Sequence, residues 1–98
     1  MLKKVLNHID KEINQAKDYI ECAFSVKHDY PTLGDLYLEL GKEEIVHAEK
    51  LMHEGESLSK TMQSPEHMEC LAVWKWMKEK HTECINDLQV KINRYRSY

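Results

Sequence analysis

Apolar residues recur every three or four positions over most of the chain, which is the period of an amphipathic helix and not of a strand. In the first segment they are Val5, Leu6, Ile9, Ile13, Ala16, Tyr19, Ile20, Ala23 and Val26. Two prolines, Pro31 and Pro65, divide the chain into three segments of similar length. Because proline suits the first turn of a helix and breaks its interior, the pattern predicts three long helices, over about 2–29, 31–60 and 65–95.

The three helices predict an all-α fold in a single domain, 1–98. Because a chain of 98 residues buries only a modest fraction of its surface, association with another chain is expected. The third helix carries a broad apolar face that also includes His81. About 30 residues of helix extend roughly 45 Å, which is long for a compact three-helix monomer. We therefore expect a homo-oligomer, a dimer or larger.

The apolar stripe of the second helix is interrupted by two ionisable side chains. Its apolar members are Leu33, Leu36, Tyr37, Leu40, Leu51, Leu58 and Met62. Between Leu40 and Leu51 the stripe continues through Glu44 and His47. An unpaired carboxylate is costly to bury, so this face predicts a compensating partner. A metal ion is one such partner, because residues three apart on a helix can reach the same cation.

The first helix has an acidic residue, Glu12, at the edge of its apolar face. If the first two helices form an antiparallel hairpin with its turn near residue 29 or 30, His47 lies across from Glu12. Glu21 is the other acid of that region, but it lies roughly 13 Å further along the helix and points towards the polar flank. We prefer Glu12 as the third ligand and keep Glu21 as the alternative.

One Glu on a helix and a Glu-x-x-His on the next are half of the di-iron carboxylate arrangement of four-helix bundles. The segment Glu12-x-x-x-Ala16-x-x-Tyr19, together with Leu40-Gly41-Lys42-Glu43-Glu44-Ile45-Val46-His47-Ala48-Glu49-Lys50-Leu51, resembles the first two helices of the ferritin-like superfamily, and of rubrerythrins in particular. The resemblance implies that Glu12, Glu44 and His47 are iron ligands. It ends near residue 58.

Full-length members of that superfamily supply a third Glu and a second Glu-x-x-His from two further helices. This chain has one further helix and no second such motif, since Asn86 follows Glu83 where a histidine would be needed. The short encapsulated ferritins of the superfamily complete the site between chains. Two copies related by a two-fold axis present the same three ligands twice. We therefore expect a four-helix bundle, completed by dimerisation, around a di-iron site.

Carboxylates and imidazole without a thiolate favour iron, with manganese as the alternative. The predicted function is iron oxidation and storage or peroxide handling, and whether the centre turns over as an enzyme stays open. A rival hypothesis is a metal-free helical interaction or structural module that retains the hairpin, which the broad apolar face of the third helix favours. A third is a monomer that holds one metal ion.

The composition of the chain limits the kinds of partner that we expect. The net charge of −3, from 14 Lys and Arg against 17 Asp and Glu, gives no basic excess for nucleic acid. No apolar run approaches the roughly 18 residues that cross a bilayer, so we expect no membrane partner. Three cysteines without a CxxC pair favour reduced thiols in the cytoplasm. No nucleophile arrangement, phosphate-binding glycine loop or dinucleotide fingerprint supports hydrolase or kinase chemistry.

Overall fold

The computed structural model describes residues 1–97, and it is all-helical, as predicted. The elements are α1 (Leu2–Val26), α2 (Pro31–Lys60) and α3 (Met68–Arg94), with 3-10 turns at Pro65–His67 and Tyr95–Ser97 on either side of α3. No strand occurs within these residues. The predicted domain also includes Tyr98, which lies outside the described residues.

The helix ends differ from the prediction at two places. α1 ends at Val26, short of the predicted boundary near residue 29, and a turn leads from there to Pro31. Pro31 is the first residue of α2, where its missing N–H costs no hydrogen bond. At the start of the third segment, Pro65–His67 forms a 3-10 turn, so the regular helix begins only at Met68.

Small residues of α2 lie at its contacts with α1 and α3. Gly34, Gly41, Ala48 and Gly55 recur at every seventh position, and all four are buried. A Cβ added to Gly41 would lie 2.8 Å from Cγ1 of Ile20, closer than carbon atoms approach without a shift. α1 and α2 therefore approach closely at Gly34 and Gly41, where α2 carries no side chain.

The predicted buried face of α2 is therefore confirmed only in part: Leu51, Leu58 and Met62 pack partly buried against the core. The buried residues are Gly34, Leu38, Gly41, Ile45, Ala48, Gly55 and Ser59. Leu33 and Leu36 were expected in the core, but they are 39% and 54% exposed. The large apolar residues that define the predicted stripe flank the contact with α1, because the contact itself requires small residues.

α3 lies alongside α1 and runs parallel to it. His81 of α3 contacts Asp10 of α1, and further along both helices the Tyr95 hydroxyl donates to the Ala23 carbonyl oxygen at 3.4 Å. The apolar face of α3 is used in this packing, with Trp74, Ile85 and Leu88 among its buried members. The broad face that favoured a separate partner thus packs largely within the chain.

α3 packs against α2 near Gly55, and also near Leu38, where Ile92 joins the cluster around that leucine. A Cβ added to Gly55 would lie 2.1 Å from the ring of Trp74, so the indole occupies the space that a side chain would take. Trp74 Nε1 also donates a hydrogen bond of 2.8 Å to Glu56 Oε2. Lys78 Nζ lies 3.2 Å from the same oxygen. These contacts leave the opposite side of the α1–α2 hairpin uncovered by α3.

Within residues 1–97, no helix has both the length and the apolar character needed to cross a bilayer.

Candidate metal centre

The structure brings Glu12, Glu44 and His47 together at mid-height of the α1–α2 hairpin. His47 Nδ1 lies 3.6 Å from Glu12 Oε2 and 3.7 Å from Glu44 Oε1. One ligand atom from each of the three residues can be chosen so that all lie within 4.8 Å of one another. The hairpin accounts for this placement, since close packing of α1 on α2 sets position 12 beside position 47. Among residues 1–97, this is the one group of three such side chains.

The distances from His47 Nδ1 to the two carboxylate oxygens are too long for hydrogen bonds but short enough for all three atoms to surround one ion. Both separations from Nδ1 exceed the usual 2.7–3.2 Å of an N–H···O hydrogen bond. Two donor atoms that bind one ion at about 2.1 Å lie at most about 4.2 Å apart. Small side-chain rotations therefore suffice to place both oxygens and the ring nitrogen around one cation.

The two carboxylates also lack hydrogen-bond donors. Glu12 Oε2 and Glu44 Oε2 are buried atoms without a partner among the described residues. Buried polar atoms in folded proteins are nearly always paired, because an unpaired one loses its hydration without compensation. A cation between the two carboxylates would supply the missing interaction. The residues present therefore fit a metal ion by donor type and by geometry.

The electrostatic environment of Glu44 is also consistent with a cation site. The pKa of Glu44 is raised above the ordinary carboxyl value, first because its protonated form can share a hydrogen bond with Glu12. Burial and the negative charge of Glu12 raise this pKa further, and only His47 acts to lower it. The metal-free centre thus holds more negative charge than His47 can balance.

The centre lies on the side of the hairpin away from α3. Asp10 contacts α3 through His81, and Glu12 is two residues further along α1. At 100° per residue, Glu12 points roughly 160° away from Asp10 around the helix. The side chain of His47 is 53% exposed, whereas those of Glu12 and Glu44 are 25% and 17% exposed. This corrects the prediction that the stripe through His47 is core: the centre is partly open in a single chain.

The alternative ligand, Glu21, lies elsewhere. It lines a groove between α1 and α3, next to Lys91 and Arg94. Tyr19 is on the same side as Glu12, two turns along, and it stacks on Tyr37 with ring centroids 6.2 Å apart. Neither residue belongs to the group of three.

Asp10 is a polar residue that sequence reasoning missed. His81 is 4% exposed, and its Nε2 lies 2.6 Å from Asp10 Oδ1. The signal was present in part, because a histidine on the apolar face of the third helix predicts a polar partner on a neighbouring helix. Nothing in the pattern of α1 identifies Asp10 as that partner.

No protein-family model, curated protein or solved structure matches this chain.

Proposed function

We propose that the protein is a ferritin-like iron-binding protein, with a carboxylate-bridged di-iron site shared between two chains. The single observation that carries the proposal is the unpartnered pair of carboxylates, Glu12 and Glu44, facing the ring nitrogen of His47. One chain supplies two carboxylates and one imidazole, and a second chain would double the set. Four carboxylates would then balance two divalent cations.

The donor set favours iron. Carboxylate oxygens with one imidazole and no thiolate are typical of iron and manganese sites, whereas structural zinc sites are closed and rich in cysteine. Among residues 1–97, the group includes none of the free thiols, Cys22, Cys70 and Cys84. Iron in such a site supplies redox chemistry with dioxygen or peroxide. Oxidation and storage of iron, or peroxide handling, in the cytoplasm is the corresponding role.

Partial exposure of His47 supports completion by a second chain. Because half of its side chain faces solvent, one chain leaves coordination positions open on the side away from α3. Leu33 and Leu36, which lie roughly 16–21 Å from His47 towards the start of α2, are also exposed. A second hairpin on this side would cover both the site and these leucines, forming the four-helix bundle.

Anaerobic titration with Fe(II), followed by calorimetry, tests the proposal. The wild-type chain should bind about one iron, and Glu12→Gln, Glu44→Gln and His47→Ala should each weaken binding strongly. Loss of an outer-shell partner costs about 10–100-fold in metal affinity, so loss of a ligand should cost at least as much.

Two matched variants serve as controls. Glu43→Gln removes an exposed charge next to Glu44, and Glu21→Gln removes the alternative ligand. Both should bind iron as the wild type does. A wild-type chain that takes up no Fe(II) would contradict the proposal, and loss of binding in Glu21→Gln would contradict the assignment of Glu12.

A further inference from the structure

One face of α2 has a residue pattern that is the same in both chain directions. Its members are Leu33, Leu40, Glu44, His47, Leu51 and Leu58, with spacings of 7, 4, 3, 4 and 7. At 100° per residue they fall within an arc of about 60°. Reversing the direction exchanges each leucine with another leucine and exchanges Glu44 with His47. The face is thus complementary to an antiparallel copy of itself.

Within one chain this face is only partly covered, since Leu51 and Leu58 pack at its edge against the core. It lies beside the contact with α1, and α3 meets α2 on the other side, through Trp74 at Gly55 and Glu56. Leu33 is 39% exposed and the His47 side chain is 53% exposed. Leu40, Leu51 and Leu58 are partly buried.

We propose that this face pairs with the same face of a second copy, antiparallel, about a two-fold axis at the level of the Ile45–Val46 peptide. Leu40 then meets Leu51 of the second copy, and Leu33 meets Leu58 of the second copy. Glu44 faces His47 of the second copy. The inference rests on the proposed function for its dimer, and it adds the register and orientation of the pairing.

Charge selects this register over its alternatives. A parallel pairing would place Glu44 against Glu44 of the second copy and His47 against His47, so like groups would repel. A shift of one turn in the antiparallel pairing would set a leucine against a carboxylate and leave that carboxylate without a partner. An isologous interface that places unlike polar groups opposite each other and leucine opposite leucine avoids both costs.

The packing of α1 on α2 determines where Glu12 lies relative to the same two-fold axis. Contact of Glu12 with His47, and the position of Gly41 between Ile20 and the Ala16 carbonyl oxygen, place the Ile45–Val46 level opposite residues 13 and 14 of α1. The two copies of Glu12 then lie about three residues apart along the bundle, or about 4.5 Å. The two copies of Glu44 are offset equally. Both half-sites therefore share one level, and paired metal ions typically lie about 3.5–4 Å apart.

Thiol cross-linking tests the register, in a background that carries Cys22→Ser, Cys70→Ala and Cys84→Ala. Leu40→Cys and Leu51→Cys are made separately and together, and a short bifunctional thiol reagent is added with Mn(II) or with chelator. The double variant should cross-link nearly completely into dimers. An equal mixture of the single variants, unfolded and refolded together, should cross-link in up to half of its chains. Each single variant alone should stay uncrosslinked, because its two thiols would lie about 16 Å apart.

A second pair, Leu33→Cys with Leu58→Cys, should behave in the same way, whereas Leu33→Cys with Leu40→Cys is the out-of-register control. Circular dichroism and thermal melting establish that each variant folds. Cross-linking of Leu40→Cys with itself would show a parallel pairing and overturn the inference, as would no cross-linking in either matched pair. Cross-linking in register by a chain that binds no iron would sustain the pairing and refute the proposed function. Iron binding by a chain that shows no cross-linking in either matched pair would sustain the proposed function and refute the pairing.

Discussion

At the scale of single residues, the two candidate carboxylate ligands disfavour the metal-free fold. Glu12 and Glu44 hold buried oxygens without hydrogen-bond donors, and the negative charge of Glu12 makes ionised Glu44 more costly. Nothing in the packing of the hairpin requires two acids here. Natural proteins tolerate such local cost chiefly where function needs the residues, so the cost itself supports a binding role.

This cost has a measurable pH dependence. Because the folded-state pKa of Glu44 lies above its unfolded value, ionised Glu44 destabilises the fold at neutral pH. The penalty fades as pH falls through the folded pKa and is absent below the unfolded one. In the presence of chelator, Glu44→Gln should therefore raise the Tm at pH 7 by a few degrees, given roughly 4–8 °C per kcal/mol for a domain of this size.

The difference between Glu44→Gln and the wild type should vanish near pH 4. Glu43→Gln is the matched control, because Glu43 is exposed and is the weakest of the causes that raise the pKa of Glu44. It should change the Tm little at either pH. A lower Tm for Glu44→Gln at pH 7, in thermal melts followed by circular dichroism, would refute this account of the charge.

At the scale of helices, the small residues of α2 set the geometry of the hairpin. Gly34, Gly41, Ala48 and Gly55 recur at a period of seven and let α1 and α3 approach. A heptad period keeps such positions on one side of a helix over several turns. The height of Glu12 opposite His47 depends on this close contact.

Gly55→Ala tests the role of the small residues. Alanine is the better helix former by about 1 kcal/mol, yet its Cβ would lie 2.1 Å from the Trp74 ring. Trp74 is 2% exposed and would have to move away from Glu56, so overpacking should outweigh the gain. We expect a net loss of about 1–2 kcal/mol in urea unfolding and a change in tryptophan fluorescence.

Ser57→Ala, at an exposed position of the same helix, is the control. It should leave stability equal or slightly higher, since alanine has the higher helix propensity. A Gly55→Ala protein as stable as Ser57→Ala would show that the Trp74 ring does not depend on the absence of a side chain at position 55.

The sequence predicts the helices better than it predicts the face they bury. Periodicity and the two prolines give an all-α fold with element ends within a few residues of those observed. Residue size and apolarity predict that Leu33 and Leu36 lie in the core of α2. They do not predict that glycine positions form the contact. The heptad of small residues in α2, matched by Ala16 and Ala23 in α1, was the readable signal for the true contact.

The candidate site was predictable to the extent that it depends on the hairpin. Counting residues from the turn placed Glu12 across from His47, which the structure also shows. The exposure of His47 was not predictable, because the stripe lies at the edge of the contact with α1 and not at its centre. Because His47 is half exposed, it and Glu44 form a site that a second chain would cover, and not a buried ionisable pair.

At the scale of the whole molecule, the chain is long and narrow, with extents of 56 × 18 × 15 Å. α3 covers one side of the α1–α2 hairpin, and the candidate centre faces the other. An apolar, open face beside an unbalanced pair of carboxylates is the arrangement expected of a chain that functions as a pair. Metal binding and pairing would then stabilise each other, since each contributes what the other lacks.

Elemental analysis and light scattering on one chromatographic peak test the central claim most directly. Wild-type protein is loaded anaerobically with Fe(II), separated by size, and measured for mass and iron together. We predict one peak at twice the mass of a single chain, with two iron ions per dimer, and an iron-free peak for His47→Ala. A wild-type peak without iron, or with iron bound to a monomer, would contradict the shared di-iron site.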